Sequence, residues 1–120
     1  MDNCIFCKIA NGDIPSKTIY EDEIVKAYLD INPSGTGHTL IIPKVHYTDL
    51  DDIDEEVLSH IMKISKIIKK RIDERLNPNG IKIVQNNGTL QEVKHYHLHI
   101  VPYYNKEKNL SLDEVYEILK

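Results

Sequence analysis

The sequence predicts an α+β fold, in which a five-stranded antiparallel sheet carries one long packed helix and a short C-terminal helix follows. Two observations lead there. Strand-like segments come grouped, three before a long helical stretch and two after it, and such grouping favours an antiparallel sheet over a doubly wound parallel one. In addition, 120 residues without an internal repeat or a linker-like stretch fit a single domain, 1–120, that buries its own core.

Residues 16–31 hold apolar runs broken by Glu21-Asp22-Glu23, which reads as two strands joined by a tight acidic turn. Gly37 to Pro43 is a third strand, because Thr39, Leu40, Ile41 and Ile42 are strand formers bounded by Gly and Pro. From about Asp51 to Leu76 the pattern changes. Val57, Ile61, Ile64, Ile68 and Ile72 recur at steps of three and four, so one long amphipathic helix is expected. Carboxylates at 51–56 suit its start, and Asn77-Pro78-Asn79-Gly80 stops it. His60 on this helix reads as ordinary surface. Ile81 to Gln85 and His95 to Tyr103 are the last strands, with Asn86-Asn87-Gly88 in the loop between them. Ser111 and Glu114 form a capping box that opens a final helix ending near Lys120.

Nineteen acidic against 15 basic residues give a formal charge of −4, so no basic face offers a polyphosphate backbone general attraction and nucleic acid is not an expected partner. Nor does any apolar stretch reach membrane-spanning length or form a leader, which makes a cytoplasmic protein without membrane association the expectation. Both cysteines lie in Cys4-x-x-Cys7, and in a reducing compartment such a pair is a metal-ligand or redox pair rather than a structural bridge.

His95, His97 and His99 alternate with Tyr96, Leu98 and Ile100. On a strand, residues two apart share a face, so the imidazoles line one side and the apolar set packs on the core. Imidazoles spaced by two residue rises, roughly 6.5 to 7 Å, do not grip one metal ion without a bend. Three different roles follow more readily than one shared metal.

The stretch His95-Tyr96-His97-Leu98-His99-Ile100-Val101 resembles the signature of the histidine triad family. The resemblance also takes in Cys4 to Ile9, Gly12 to Pro15, Ala27 to Ile31 and Gly37 to Lys44, and so spans residues 4–103. Within the family the chain is similar to the branch of nucleotide-binding hydrolases that cleave purine nucleoside phosphoramidates. That resemblance implies His97 as the nucleophile on the α-phosphorus, a nucleotidylated histidine as intermediate, and the backbone carbonyl of His95 as the group that fixes the tautomer of His97. A neutral imidazole suits the task, since it can attack phosphorus near pH 7 and later leave it.

By the same resemblance His99 and His38 touch the phosphate, and Asp30 accepts two hydrogen bonds from the ribose. Ile5, Phe6, Ile9, Tyr28 and Ile31 surround the base, while Asn86, Gln91, Glu92 and Val93 lie near the sugar and phosphate. Taken by their residue types alone, Asp30 and Asn86 also suit turns, and the apolar set suits ordinary core. Cys4, Cys7, His46 and His95 match the positions through which cysteine-bearing members bind a structural zinc; four protein ligands leave no open place for a catalytic water. A homodimer is implied as well, formed by edge-to-edge pairing into a ten-stranded sheet.

The chain departs from the family pattern in two places. The loop 88–94 is about two residues short and puts Glu92 where relatives carry a hydroxyl, and a carboxylate there repels phosphate unless it turns to solvent or holds a cationic amine. Tyr103 stands where relatives often have Arg. The expected function is hydrolysis of an adenosine phosphoramidate to AMP. The rivals are a dinucleoside polyphosphate hydrolase, a nucleotide-binding interaction protein without catalysis, and a redox or zinc-only module.

Overall fold

The computed structural model describes residues 3–120. It opens with a helix that the sequence reading missed, α1 (Ile5–Ala10), whose first amide hydrogen bonds are capped by the thiol of Cys4, accepting from the Cys7 N–H. The acidic turn then joins β1 (Thr18–Glu21) to β2 (Val25–Leu29), and β3 (Thr39–Pro43) follows. Asp22 makes that turn by accepting the amides of Ile24 and Val25, both at 2.8 Å.

The long helix α2 (Glu55–Leu76) begins later than its run of carboxylates suggests. Asp54 is its N-cap, accepting from Glu56 and Val57, whereas Asp52 closes a separate turn on the amides of Thr48 and Asp49. Asn77 ends α2 in the left-handed conformation, φ 52°. Because Asp54 holds two otherwise unpaired amides, Asp54→Ala should cost about 1 kcal/mol of unfolding free energy in urea melts; no change would remove the cap from this account.

β4 (Gly80–Gln85), a single 3₁₀ turn at Gly88–Leu90, β5 (Leu98–Tyr103) and α3 (Leu112–Leu119) complete the chain. The capping box of Ser111 and Glu114 forms as the sequence requires. The sheet is antiparallel throughout with the order β1-β2-β3-β5-β4. Its expected fifth strand is shorter than read, since hydrogen-bonded pairing starts at Leu98 rather than His95.

One sheet face packs Ala27, Leu29, Ile41, Tyr96, Leu98 and Ile100 against Ile61, Ile64, Ile68 and Ile72 of α2, with Val115 and Leu119 of α3 closing the end. Val57 is only half-buried at the edge of this stripe. On the opposite face Phe6, Ile9 and Ala10 of α1 cover Tyr28, Leu40 and Ile42. The alternation of β5 therefore separates its side chains as predicted: Tyr96, Leu98 and Ile100 enter the α2 core, and the histidines belong to the α1 side. Lys26, 7 % exposed, also lies within the fold and donates to the Ile9 carbonyl at 2.8 Å, tying α1 to the sheet. His60 is not plain surface. Its Nε2 lies 2.7 Å from Asp22, which also accepts from Tyr20, so α2 is pinned to the β1–β2 turn. Among the described residues no helix is long and apolar enough to cross a membrane.

Candidate functional site

His97 is buried just ahead of the paired part of β5, with the ring of Phe6 edge-on to it at 4.9 Å. Its Nδ1 lies 2.7 Å from the His95 carbonyl. A carbonyl only accepts, so Nδ1 carries the proton and Nε2 keeps a free lone pair. Burial holds the imidazole below its ordinary pKa; the His95 carbonyl and the charges of Glu92 and Asp30 act in the other direction but do not win. The ring of His99 is 4.9 Å away. Burial, and then the neighbouring His97 and His38, bring His99 down to about 4.

His38 and His99 are joined by a chain of fixed polarity. The Ser34 amide donates to His38 Nδ1 at 3.0 Å, so the His38 proton sits on Nε2. That Nε2 is 3.0 Å from His99 Nδ1, against 3.6 Å from Asp30, and the shorter contact identifies His99 as its acceptor. His99 is left with its proton on Nε2, as a donor. Burial lowers His38 as well, with Asp30 opposing. The loop that places Ser34 runs so close to β5 that a Cβ on Gly35 would overlap the Pro102 carbonyl oxygen, and only glycine fits there.

These rings share a cavity of about 290 Å³ with Asp30, Asn86 and Glu92. Asp30, Glu92, His97 and His99 also border an adjoining cavity of about 300 Å³, whose walls are Ile5, Phe6, Ile9, Tyr28, Ile31 and Val93. The predicted polar and apolar sets are thus brought together as two neighbouring compartments. Ile31 stands at the rim, 76 % exposed, while Phe6, Ile9 and Tyr28 are buried. Gln91 does not join them. It is 5 % exposed and its amide donates to the Thr48 carbonyl at 2.5 Å, so its side chain braces the loop instead of facing either cavity. Glu92 is exposed, yet it has not turned away from the site, since it borders both compartments. Tyr103 ends β5 exposed and outside both. Ser34, Asn32 and Leu90 line the polar cavity without having been singled out in the sequence; only the fold brings those loops together.

A second constellation lies where α1 starts. The donor atoms of Cys4, Cys7, His46 and His95 all fall within 4.8 Å of one another. His95 Nδ1 is 3.3 Å from the Cys4 sulfur and 3.5 Å from that of Cys7, and His46 Nδ1 is 3.3 Å from Cys7. A tetrahedron about zinc with ordinary bond lengths has donor–donor edges of roughly 3.3 to 3.8 Å, so the four residues fit the ion. His95 Nε2 lies 2.9 Å from the Pro43 carbonyl and must donate to it, which leaves Nδ1 unprotonated toward the sulfurs. Burial, followed by the Cys4 side chain, raises the Cys7 thiol; a bound cation would reverse that preference.

Comparison with known proteins points to one family. A family model described as HIT domain matches residues 11–106. An uncharacterised HIT-like protein of Methanocaldococcus jannaschii is 45% identical, with 98% of each chain covered. A Schizosaccharomyces pombe protein named adenosine 5'-monophosphoramidase is 38% identical over 92% of this chain and 81% of its own. Among solved structures, a Zn-bound histidine triad family protein from Mycobacterium smegmatis superposes with a TM-score of 0.90 at 36% identity, covering 98% of this chain and 91% of that one.

Proposed function

The chain belongs to the HIT, or histidine triad, family, and from that premise we propose that it hydrolyses purine nucleoside 5'-phosphoramidates, adenosine phosphoramidate among them, to the nucleoside monophosphate. One observation carries this reading. The buried His97 lines both compartments and is anchored through Nδ1 to the His95 carbonyl, so that the nitrogen left free to meet a substrate is Nε2. The apolar compartment would take the base, Asp30 between the two would accept from the ribose hydroxyls, and the α-phosphate would lie among His38, His97 and His99. His99 Nε2–H would donate to a phosphate oxygen, and the Asn86 side chain would face the same group.

In the first half-reaction His97 Nε2 forms a bond to phosphorus as the P–N bond breaks; the leaving nitrogen keeps the bonding pair and takes up one proton from solvent. Water then displaces His97 and returns one proton. The net change is addition of one water. Cys4, Cys7, His46 and His95 would hold a zinc ion, which when bound supplies rigidity rather than a reaction step: it pins the His95 ring and thereby steadies the carbonyl that orients His97. The Schizosaccharomyces pombe relative supports the substrate class and the Mycobacterium smegmatis structure supports the metal. We propose a homodimer too, through the outer edge of β4, which is unpaired among the described residues and presents Ile83 at 40 % exposure.

The test is the pH profile of kcat/KM on adenosine 5'-phosphoramidate. The attacking imidazole must be neutral, and burial lowers its pKa, so the unprotonated form persists as pH falls through the ordinary histidine range. Activity should be full at pH 7, with its acid limb below the ordinary histidine value of about 6.5. An acid limb at or above that value would contradict the buried nucleophile, and absence of turnover would overturn the function.

A further inference from the structure

We propose that Glu92 selects the leaving group, favouring amines that carry a second positive charge and disfavouring leaving groups that are phosphate chains. This rests on the phosphoramidate reading and narrows its substrate class. Glu92 stands where cavities meet: it borders the polar compartment, the apolar compartment, and a third space of about 590 Å³ beside Cys4, His46 and Lys94. A substrate whose phosphorus lies in the polar compartment beside His97 shares that space with this carboxylate.

The polar compartment is poor in cations. Two carboxylates, Asp30 and Glu92, line the polar compartment together with His38, His97 and His99, and no lysine or arginine lines it. Burial favours the neutral form of His38 and His99. Lys94 is turned away, its ammonium held by the Gly88 carbonyl. Lys82 is exposed on β4 and borders neither compartment. Asp30 is engaged by the Asn32 amide and lies near His38. Among the described residues no cation pairs with Glu92.

A phosphoramidate brings one negative charge to this pocket, and a polyphosphate brings several. Cleavage of the bond to the leaving group, P–N in the first class and P–O in the second, also moves charge in opposite ways. A leaving amine takes up a proton and, once free, becomes an ammonium ion, whereas a phosphate leaving group departs with added negative charge. A fixed carboxylate at the junction stabilises the first and repels the second. A leaving amine with a further ammonium, such as a diamine or a lysine-type side chain, gains most, because it offers the unpaired carboxylate a partner.

The experiment compares the full-length, metal-replete protein with Glu92→Gln on two adenosine 5'-phosphoramidates, of propylamine and of 1,3-diaminopropane, and on a diadenosine tetraphosphate. The diamine substrate should have a kcat/KM about tenfold above the propyl substrate in the unaltered protein and about equal to it in Glu92→Gln, with tetraphosphate cleavage rising in the variant. A ratio unchanged by the substitution would overturn the proposal. Competition against AMP by the corresponding adenosine 5'-carbamates, which have no phosphorus to attack, reads the same preference without turnover. Should neither phosphoramidate be cleaved while the carbamates still show a preference abolished in Glu92→Gln, the hydrolase reading falls and the charge selection stands; equal carbamate affinities in the unaltered protein would sink the selection.

Discussion

His97→Asn should fold, bind AMP within a few-fold of the unaltered affinity, and lose turnover of adenosine phosphoramidate by about 10,000-fold or more. Asparagine is the informative replacement, because its amide N–H₂ can still donate to the His95 carbonyl that Nδ1 meets at 2.7 Å. Geometry is thereby preserved and only the nucleophilic nitrogen is removed. Intact-mass measurement after mixing with substrate should find an AMP adduct on His97 in the unaltered protein and none in the variant. An adduct that persists in His97→Asn, or that maps to His99 or His38, would move the nucleophile elsewhere.

The second large effect concerns the two cysteines. Native mass measurement should find one zinc per chain, and Cys7→Ser should lose it and melt about 10 °C or more lower, corresponding to roughly 3 kcal/mol. Without the ion, two sulfurs and two imidazole nitrogens are left crowded within 4.8 Å at the start of α1 with little to hold them. The same change should lower kcat by about 10- to 100-fold, because the His95 ring, then held by the Pro43 carbonyl without the metal, steadies its own carbonyl less. A metal-free protein with an unaltered melting temperature would remove the zinc from this account.

Strong periodicity made most of the fold readable in advance. The isoleucine stripe of α2, the alternation of β5 and the Ser111–Glu114 box each repeat one local rule over enough residues to be recognised, and each appears in the structure. What escaped lacks such repetition. At six residues α1 is too short to show a helical stripe, and its cap is a thiol instead of the usual hydroxyl or carboxylate. The carboxylates before α2 serve two separate turns, so they could not mark a single start. At the site, only the alternation of His95, His97 and His99 and the Cys4-x-x-Cys7 pair are spaced patterns; Asp30, His38 and His46 entered through the resemblance to the family, since taken alone each reads as an ordinary loop or strand-end residue. The inward turn of Gln91 toward Thr48, the Ser34 amide on His38 and the pairing of His60 with Asp22 depend on contacts across the chain that no local pattern encodes.

The buried ammonium of Lys26, bonded to the Ile9 carbonyl, has a wider consequence. A six-residue helix has little stability of its own. It persists here through that bond, through the packing of Phe6 and Ile9, and through the contacts of Cys4 and Cys7 with His95 and His46. The apolar wall proposed for the base and the sulfurs proposed for the metal thus ride on one short element. Were both sites filled, occupancy at either end would bias the other, and thermodynamic reciprocity would require the bias to be equal in both directions.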